Sequence, residues 1–168
     1  MLSGKLQTEL NKQMNNEFFA EYEYLSMAAY FHAMNLDGIA NYFHVQAQEE
    51  HFHAMKIFHF VLDKGGKVEL QQIAQPDVTF KSPIKKKKKA LGHEKKVTKS
   101  INDLMDDAIK ENDHAVNSFL KWYVDEQVEE EALAGKAVGK MELIGGKDEG
   151  LLILDQEYAS RSFTPPAA

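Results

Sequence analysis

Four apolar stripes in this sequence are each interrupted by an acid near mid-length. One reads Leu10, Met14, Glu17, Ala20, Tyr24, at the three- and four-residue steps that bring side chains to one face of a helix. A second reads Phe43, Ala47, Glu50, Ala54, Ile57, with His53 three residues beyond the acid. The third is Ala90, Glu94, Val97, Ile101, and the fourth is Leu120, Tyr123, Gln127, Glu130, Ala134. One acid on a stripe is ordinarily a surface residue; the coincidence on four helices is what argues. Burying an ionised carboxylate costs several kcal/mol unless it is compensated. No lysine or arginine stands on the stripes at these heights, so a multivalent metal ion is the economical partner. Hard carboxylate oxygens with one imidazole suit iron or manganese, with zinc a competitor. The other histidines (His32, His44, His51, His59, His93 and His114) are expected to be solvated or structural.

Long periodic segments with four prolines in 168 residues predict an all-α protein. The periodicity predicts helices over about 3–34, 39–64, 84–110, 114–144 and 148–160, in a single domain spanning 1–168. The breaks are NLDG at 35–38, GG at 65–66, END at 111–113 and GGKDEG from 145, with Asp113 placed to cap the helix after it. The stretch 65–83 has no helical period and two prolines. It is too long for a turn between neighbouring antiparallel helices and suits a crossover. The expected architecture is a four-helix bundle with one long crossover connection plus a short C-terminal fifth helix. Its first two helices run antiparallel and the third runs parallel to the second.

The chain carries 26 acidic and 20 basic residues, a formal charge of −6. Five of the basic residues are consecutive, Lys85–Lys89, so the remainder is more acidic still and attracts cations. The absence of cysteine excludes disulfides, thiolate catalysis and thiolate metal sites. MLSGKLQTEL lacks an apolar signal core, and no stretch is apolar enough to span a bilayer. The expectation is a cytoplasmic protein without a membrane partner.

The segments NNEFFAEYEYLSMAAYF, QAQEEHFHAMK and FLKWYVDEQVEEE resemble the bacterial non-haem ferritins, and the similarity runs nearly the full chain. The resemblance implies iron storage with ferroxidase activity: Fe(II) oxidised by dioxygen or hydrogen peroxide at a two-iron site, and the ferric product moved to a mineral core. It implies one iron site of Glu17, Glu50 and His53, and a second of Glu50, Glu94 and Glu130, with Glu50 bridging and Gln127 beside it. Glu49, Glu126 and Glu129, with Glu130, match a third iron site of that family, and Tyr24 matches its redox tyrosine, although a core aromatic reads equally well there. No haem is implied. The family also implies a homo-oligomer, a hollow twenty-four-subunit shell with the fifth helix near its fourfold axes. Aromatics outside the stripes, such as Phe18, Tyr22 and Trp122, suit subunit contacts. Diiron oxygenases and bacterioferritins carry a second Glu-x-x-His on the fourth helix, where this chain has Gln127 and Glu130. One imidazole among two irons suits a site that passes iron onward.

Two other readings stand beside storage. A diiron oxidase or hydroxylase would keep its iron stoichiometrically. A nucleic-acid-associated protective cage would use Lys85–Lys89 and show salt-sensitive DNA retention; a solvated charge run is the simpler account, and no nucleic-acid partner is expected. Positive charge at a helix N-terminus is unfavourable, and the third stripe passes back through Lys87. The expectation is a weakened start to the third helix, with fast amide exchange over 85–90.

Overall fold

The computed structural model describes residues 2–78, 83–145 and 147–165, with the backbone alone over 83–89. The side chains of Lys85–Lys89, and positions 79–82 of the connection, lie outside the described residues. Five helices follow in order: α1 (Gly4–His32), α2 (Asp37–Asp63), α3 (Pro83–Lys110), α4 (His114–Ile144) and α5 (Asp148–Tyr158). The described residues contain no strand.

The helix ends have local causes. Ser3 caps α1, its hydroxyl accepting from the Leu6 amide at 3.1 Å. Asp113 caps α4, its carboxylate accepting from the Val116 amide. Asn35 (φ 57°) and Asn112 (φ 54°) take the left-handed conformation in the two short turns, a geometry asparagine tolerates. Gly145 closes α4 in the same region at φ 62°.

Side-chain pairings fix the topology. Tyr24 of α1 donates to Glu94 of α3, Ser100 donates to Gln13, and Lys5 pairs with Asp107. These contacts run in opposite order along the two helices, so α3 is antiparallel to α1. Glu21 meets His51, and Phe31 stacks on Phe43, which makes α2 antiparallel to α1 as well, and therefore parallel to α3. The connection that permits this climbs the outside of α1. Asn11 Nδ2 donates to the Lys67 carbonyl, Asn15 Nδ2 to that of Glu69, and the Ser26 hydroxyl to that of Asp77. Polar side chains on one edge of α1 thus satisfy a backbone with no secondary structure of its own.

The core lies in two apolar blocks. Leu6, Leu10, Met14, Ala54, Ile57, Val61, Val97, Ile101, Leu104, Val116 and Leu120 fill one end of the bundle. Met27, Phe31, Ile39, Phe43, Ala137 and Met141 fill the other, closed by Leu151 and Leu154 of α5. Helix α5 approaches α2 closely because position 38 is glycine. A Cβ there would lie 1.7 Å from the Asp155 carbonyl oxygen, and Asp155 Oδ1 accepts from the Ile39 amide at 2.8 Å. Phe52, Phe60 and Trp122, which lie off the stripes, are half-buried and pack within the chain: Phe60 stacks on Phe119, and Phe52 meets Trp122 edge-on. Tyr22 stays half exposed. None of the described helices is long and apolar enough to cross a membrane.

Candidate metal centre

A polar layer separates the two apolar blocks. Each bundle helix contributes one fully buried acid to it: Glu17 (1% exposed), Glu50 (2%), Glu94 (1%) and Glu130 (4%), together with His53 (3%) and Gln127 (4%). Among the described residues, no lysine or arginine forms an ion pair with any of the four acids. Ligand atoms of Glu17, Glu50 and His53 lie within 4.8 Å of one another, as do those of His53, Glu126 and Glu130. His53 therefore stands between the two groups, with Nδ1 3.6 Å from Glu50 Oε2 and Nε2 3.9 Å from Glu126 Oε1.

The acids are oriented by neutral donors. Glu17 Oε1 accepts from Gln13 Nε2 at 2.8 Å, and Gln13 Oε1 accepts from the Ser100 hydroxyl at 2.6 Å. Glu17 Oε2 is buried without a donor among the described residues, on a carboxylate close enough to Glu50 for each to perturb the other. Glu130 Oε2 accepts from Gln46 Nε2 at 3.0 Å. Glu94 Oε1 accepts from the Tyr24 hydroxyl. The Thr98 hydroxyl lies 3.1 Å from Gln127 Oε1 and 2.5 Å from Glu131 Oε1. The Tyr123 hydroxyl donates to the His53 carbonyl at 2.7 Å, tying α4 to α2 beside the imidazole.

The electrostatics are those of buried acids that hold their protons. Burial, then Glu50, pushes Glu17 far above the usual carboxylate range. Burial, then Glu94 and Glu130, does the same to Glu50. Glu94 rises to about 8 for burial first and Glu130 second, with the Tyr24 hydrogen bond opposing. Tyr24 is itself raised well above its ordinary value by burial and by Glu94. Burial also raises Glu126, against the pull of His53. Carboxylates that face one another with an orphaned oxygen fit a hard divalent or trivalent cation, which would displace those protons on binding.

The remaining acids behave differently. Glu129 is exposed. Glu49 is half-buried and engaged by Arg161, whose Nη2 lies 3.2 and 2.9 Å from its two oxygens. The sequence reading did not single out Gln13, Gln46, Thr98 or Arg161. The glutamines had a signal, since each lies four residues before a buried acid, in QMNNE and QAQEE. Arg161 had none, because its partner is 112 residues away. Outside the layer, His32 and His51 are exposed and pair with Asp37 and Glu21.

The chain matches the family model described as a ferritin-like domain over residues 7–144. It is 38% identical over 163 residues to a bacterial non-heme ferritin of Staphylococcus aureus, covering 97% of this chain and 98% of the relative. Against that of Staphylococcus haemolyticus the identity is 40% at the same coverage. Among solved structures, a humanized archaeal ferritin aligns with a TM-score of 0.96 at 47% identity, over 98% of this chain and 100% of the other. An open-pore ferritin from the hyperthermophilic archaeon Archaeoglobus fulgidus aligns at 0.94 and 44%, over 96% and 100%. A layer of buried carboxylates from all four bundle helices, on a bundle matched along nearly the whole chain by ferritins, makes the chain a member of the ferritin family and an iron-storage protein.

Proposed function

We propose that the protein stores iron by oxidising it, as a ferroxidase acting on Fe(II) within each bundle. The observation that carries the reading is the orphaned oxygen of Glu17 in a buried layer of acids drawn from all four helices. Glu17, Glu50 and His53 would hold one iron, and Glu50, Glu94 and Glu130 a second, with Glu50 shared and Gln127 beside it. Glu126 and Glu130, with Glu49 and Glu129, would form a third, outer site. Iron is substrate and cargo here, and no haem is involved.

In this scheme the residues divide the work. Gln13 and Gln46 hold one oxygen each of Glu17 and Glu130, which keeps the other oxygens aimed at the ions. Anionic oxygen ligands favour Fe(III) over Fe(II) and so drive electron transfer to dioxygen or hydrogen peroxide. Glu17, Glu50 and Glu94 give up their protons as iron enters. Tyr24, hydrogen-bonded to Glu94, is placed to supply an electron and a proton at that carboxylate. The oxidised ions then leave for a mineral enclosed by a homo-oligomeric shell of twenty-four subunits in the cytoplasm.

The test is aerobic Fe(II) titration with stopped-flow detection, followed by size-exclusion chromatography. Iron should be oxidised rapidly and co-elute with a large shell, and Glu50→Ala should abolish the rapid phase. Unchanged oxidation in Glu50→Ala would sink the site assignment. Retention of only about two irons per chain would favour a diiron oxidase instead.

A further inference from the structure

Arg161 is the chain's one arginine among 20 basic residues, and it lies beside the metal layer. A strap formed by the end of α5 and the tail carries it there along α2. Tyr158 packs on Tyr42 with ring centroids 4.7 Å apart, Asn41 Nδ2 donates to the carbonyls of Tyr158 and Arg161, and Phe163 packs on Phe52. Between these anchors the Arg161 guanidinium lies 4.6 Å from the Tyr42 ring centroid and reaches Glu49. Nη2 serves both carboxylate oxygens, while Nη1 is buried and has no hydrogen-bond partner among the described residues. The side chains of Arg161 and Glu49 are only 20% and 18% exposed, so water screens the pair weakly. Glu49 in turn stands within electrostatic reach of Glu126, Glu130 and His53.

We propose that Arg161 is a tethered cation that occupies Glu49 and thereby weakens metal binding at the outer site of Glu49, Glu126, Glu129 and Glu130. The inference deepens the outer-site reading above and rests on it. An incoming ion meets a guanidinium that already neutralises one acid of the set, and it cannot recruit Glu49 without breaking that contact. A stacked guanidinium on a pinned strap is fixed in place at small entropic cost, which a mobile surface lysine would not match. The outer group then binds ions transiently and releases them, while the inner group of Glu17, Glu50 and His53, which Arg161 does not touch, binds firmly. Arg161 is a positioning residue rather than a ligand.

Calorimetric titration of the iron-free shell with Co(II), supported by the Co(II) d–d spectrum, tests this without any oxidation step. The outer ion is identified as the one lost in Glu126→Gln. Arg161→Met and Arg161→Gln, which remove the charge and leave the strap's other anchors, should bind the outer ion about 10-fold more tightly, a typical coupling between adjacent sites. Arg161→Lys, which keeps the charge without the pinned guanidinium, should fall between wild type and the neutral variants, and inner-ion affinity should not move in any variant. Outer affinity unchanged in both neutral variants, beside a normal inner site, overturns the role of Arg161 alone, as does an equal gain in Arg161→Lys. No inner-site Co(II) binding in the wild type would overturn the two-ion reading, and this proposal with it. Size-exclusion chromatography verifies the shell in each variant, and either neutral variant suffices if the other fails to assemble.

Discussion

Replacing Glu94 by glutamine should stabilise the iron-free protein while impairing its metal binding, and the two effects separate by pH. Glu94 is buried and raised to about 8 from an ordinary 4.5, by burial first and Glu130 second. The folded state therefore binds more protons than the unfolded chain between those values. The stability contributed by that proton is fully present below 4.5 and is lost as pH rises through about 8. At about 1.36 kcal/mol per unit the whole swing is on the order of 5 kcal/mol. Neighbouring acids share the repulsion, so one substitution should recover about 2–3 kcal/mol of it. Glutamine keeps a carbonyl for the Tyr24 hydroxyl and never ionises. In chelator-treated protein followed by circular dichroism, Glu94→Gln and wild type should melt together near pH 5. By about pH 9 the variant should melt higher by about 5–10 °C. Adding Zn(II) should reverse the order, because the wild type gains a ligand that the variant lacks. Parallel stability–pH curves for the two proteins, or a Glu94→Gln that is less stable at alkaline pH without metal, would refute the picture of an acid layer held against its own repulsion.

Other perturbations probe how the layer is held. Gln13→Ala frees Glu17 Oε1 and leaves the Ser100 hydroxyl without its acceptor; initial Fe(II) oxidation should fall about 10-fold, the usual cost of losing an outer-shell partner, and a parental rate would show the amide to be packing only. Gly38→Ala places a methyl 1.7 Å from the Asp155 carbonyl oxygen, so α5 must lift from α2. Amide exchange across 148–158 should accelerate while the bundle's core amides hold, and unchanged protection would mean that the helices adjust around the methyl. Ser3→Ala removes the cap hydrogen bond to the Leu6 amide and should cost about 1 kcal/mol, read as faster exchange confined to the first turn of α1.

The architecture was legible because bundle helices must bury one stripe each, and that demand writes a period into the chain. Glu17, Glu50, Glu94 and Glu130 stood out for the same reason: each occupies a step of the stripe that packing would otherwise fill with leucine. The crossover was legible as a missing period, and its attachment through Asn11, Asn15 and Ser26 was not, because an asparagine on a helix edge looks the same whether it bonds water or a carbonyl 54 residues away. The grouping of the acids was harder still. Periodicity fixes the face and height of a residue on its own helix, but not which neighbour its carboxylate will meet. Glu94 thus takes the Tyr24 hydroxyl, and His53 faces Glu126 as well as Glu50. Arg161 marks the far limit. It follows the last helix in a tail without a period, and only the docking of α5 on α2, which depends on the missing side chain of Gly38, brings its charge to the edge of the acid layer. A single positive charge acts on neighbouring acids through space rather than through a packing period, and such a charge leaves no pattern along the chain.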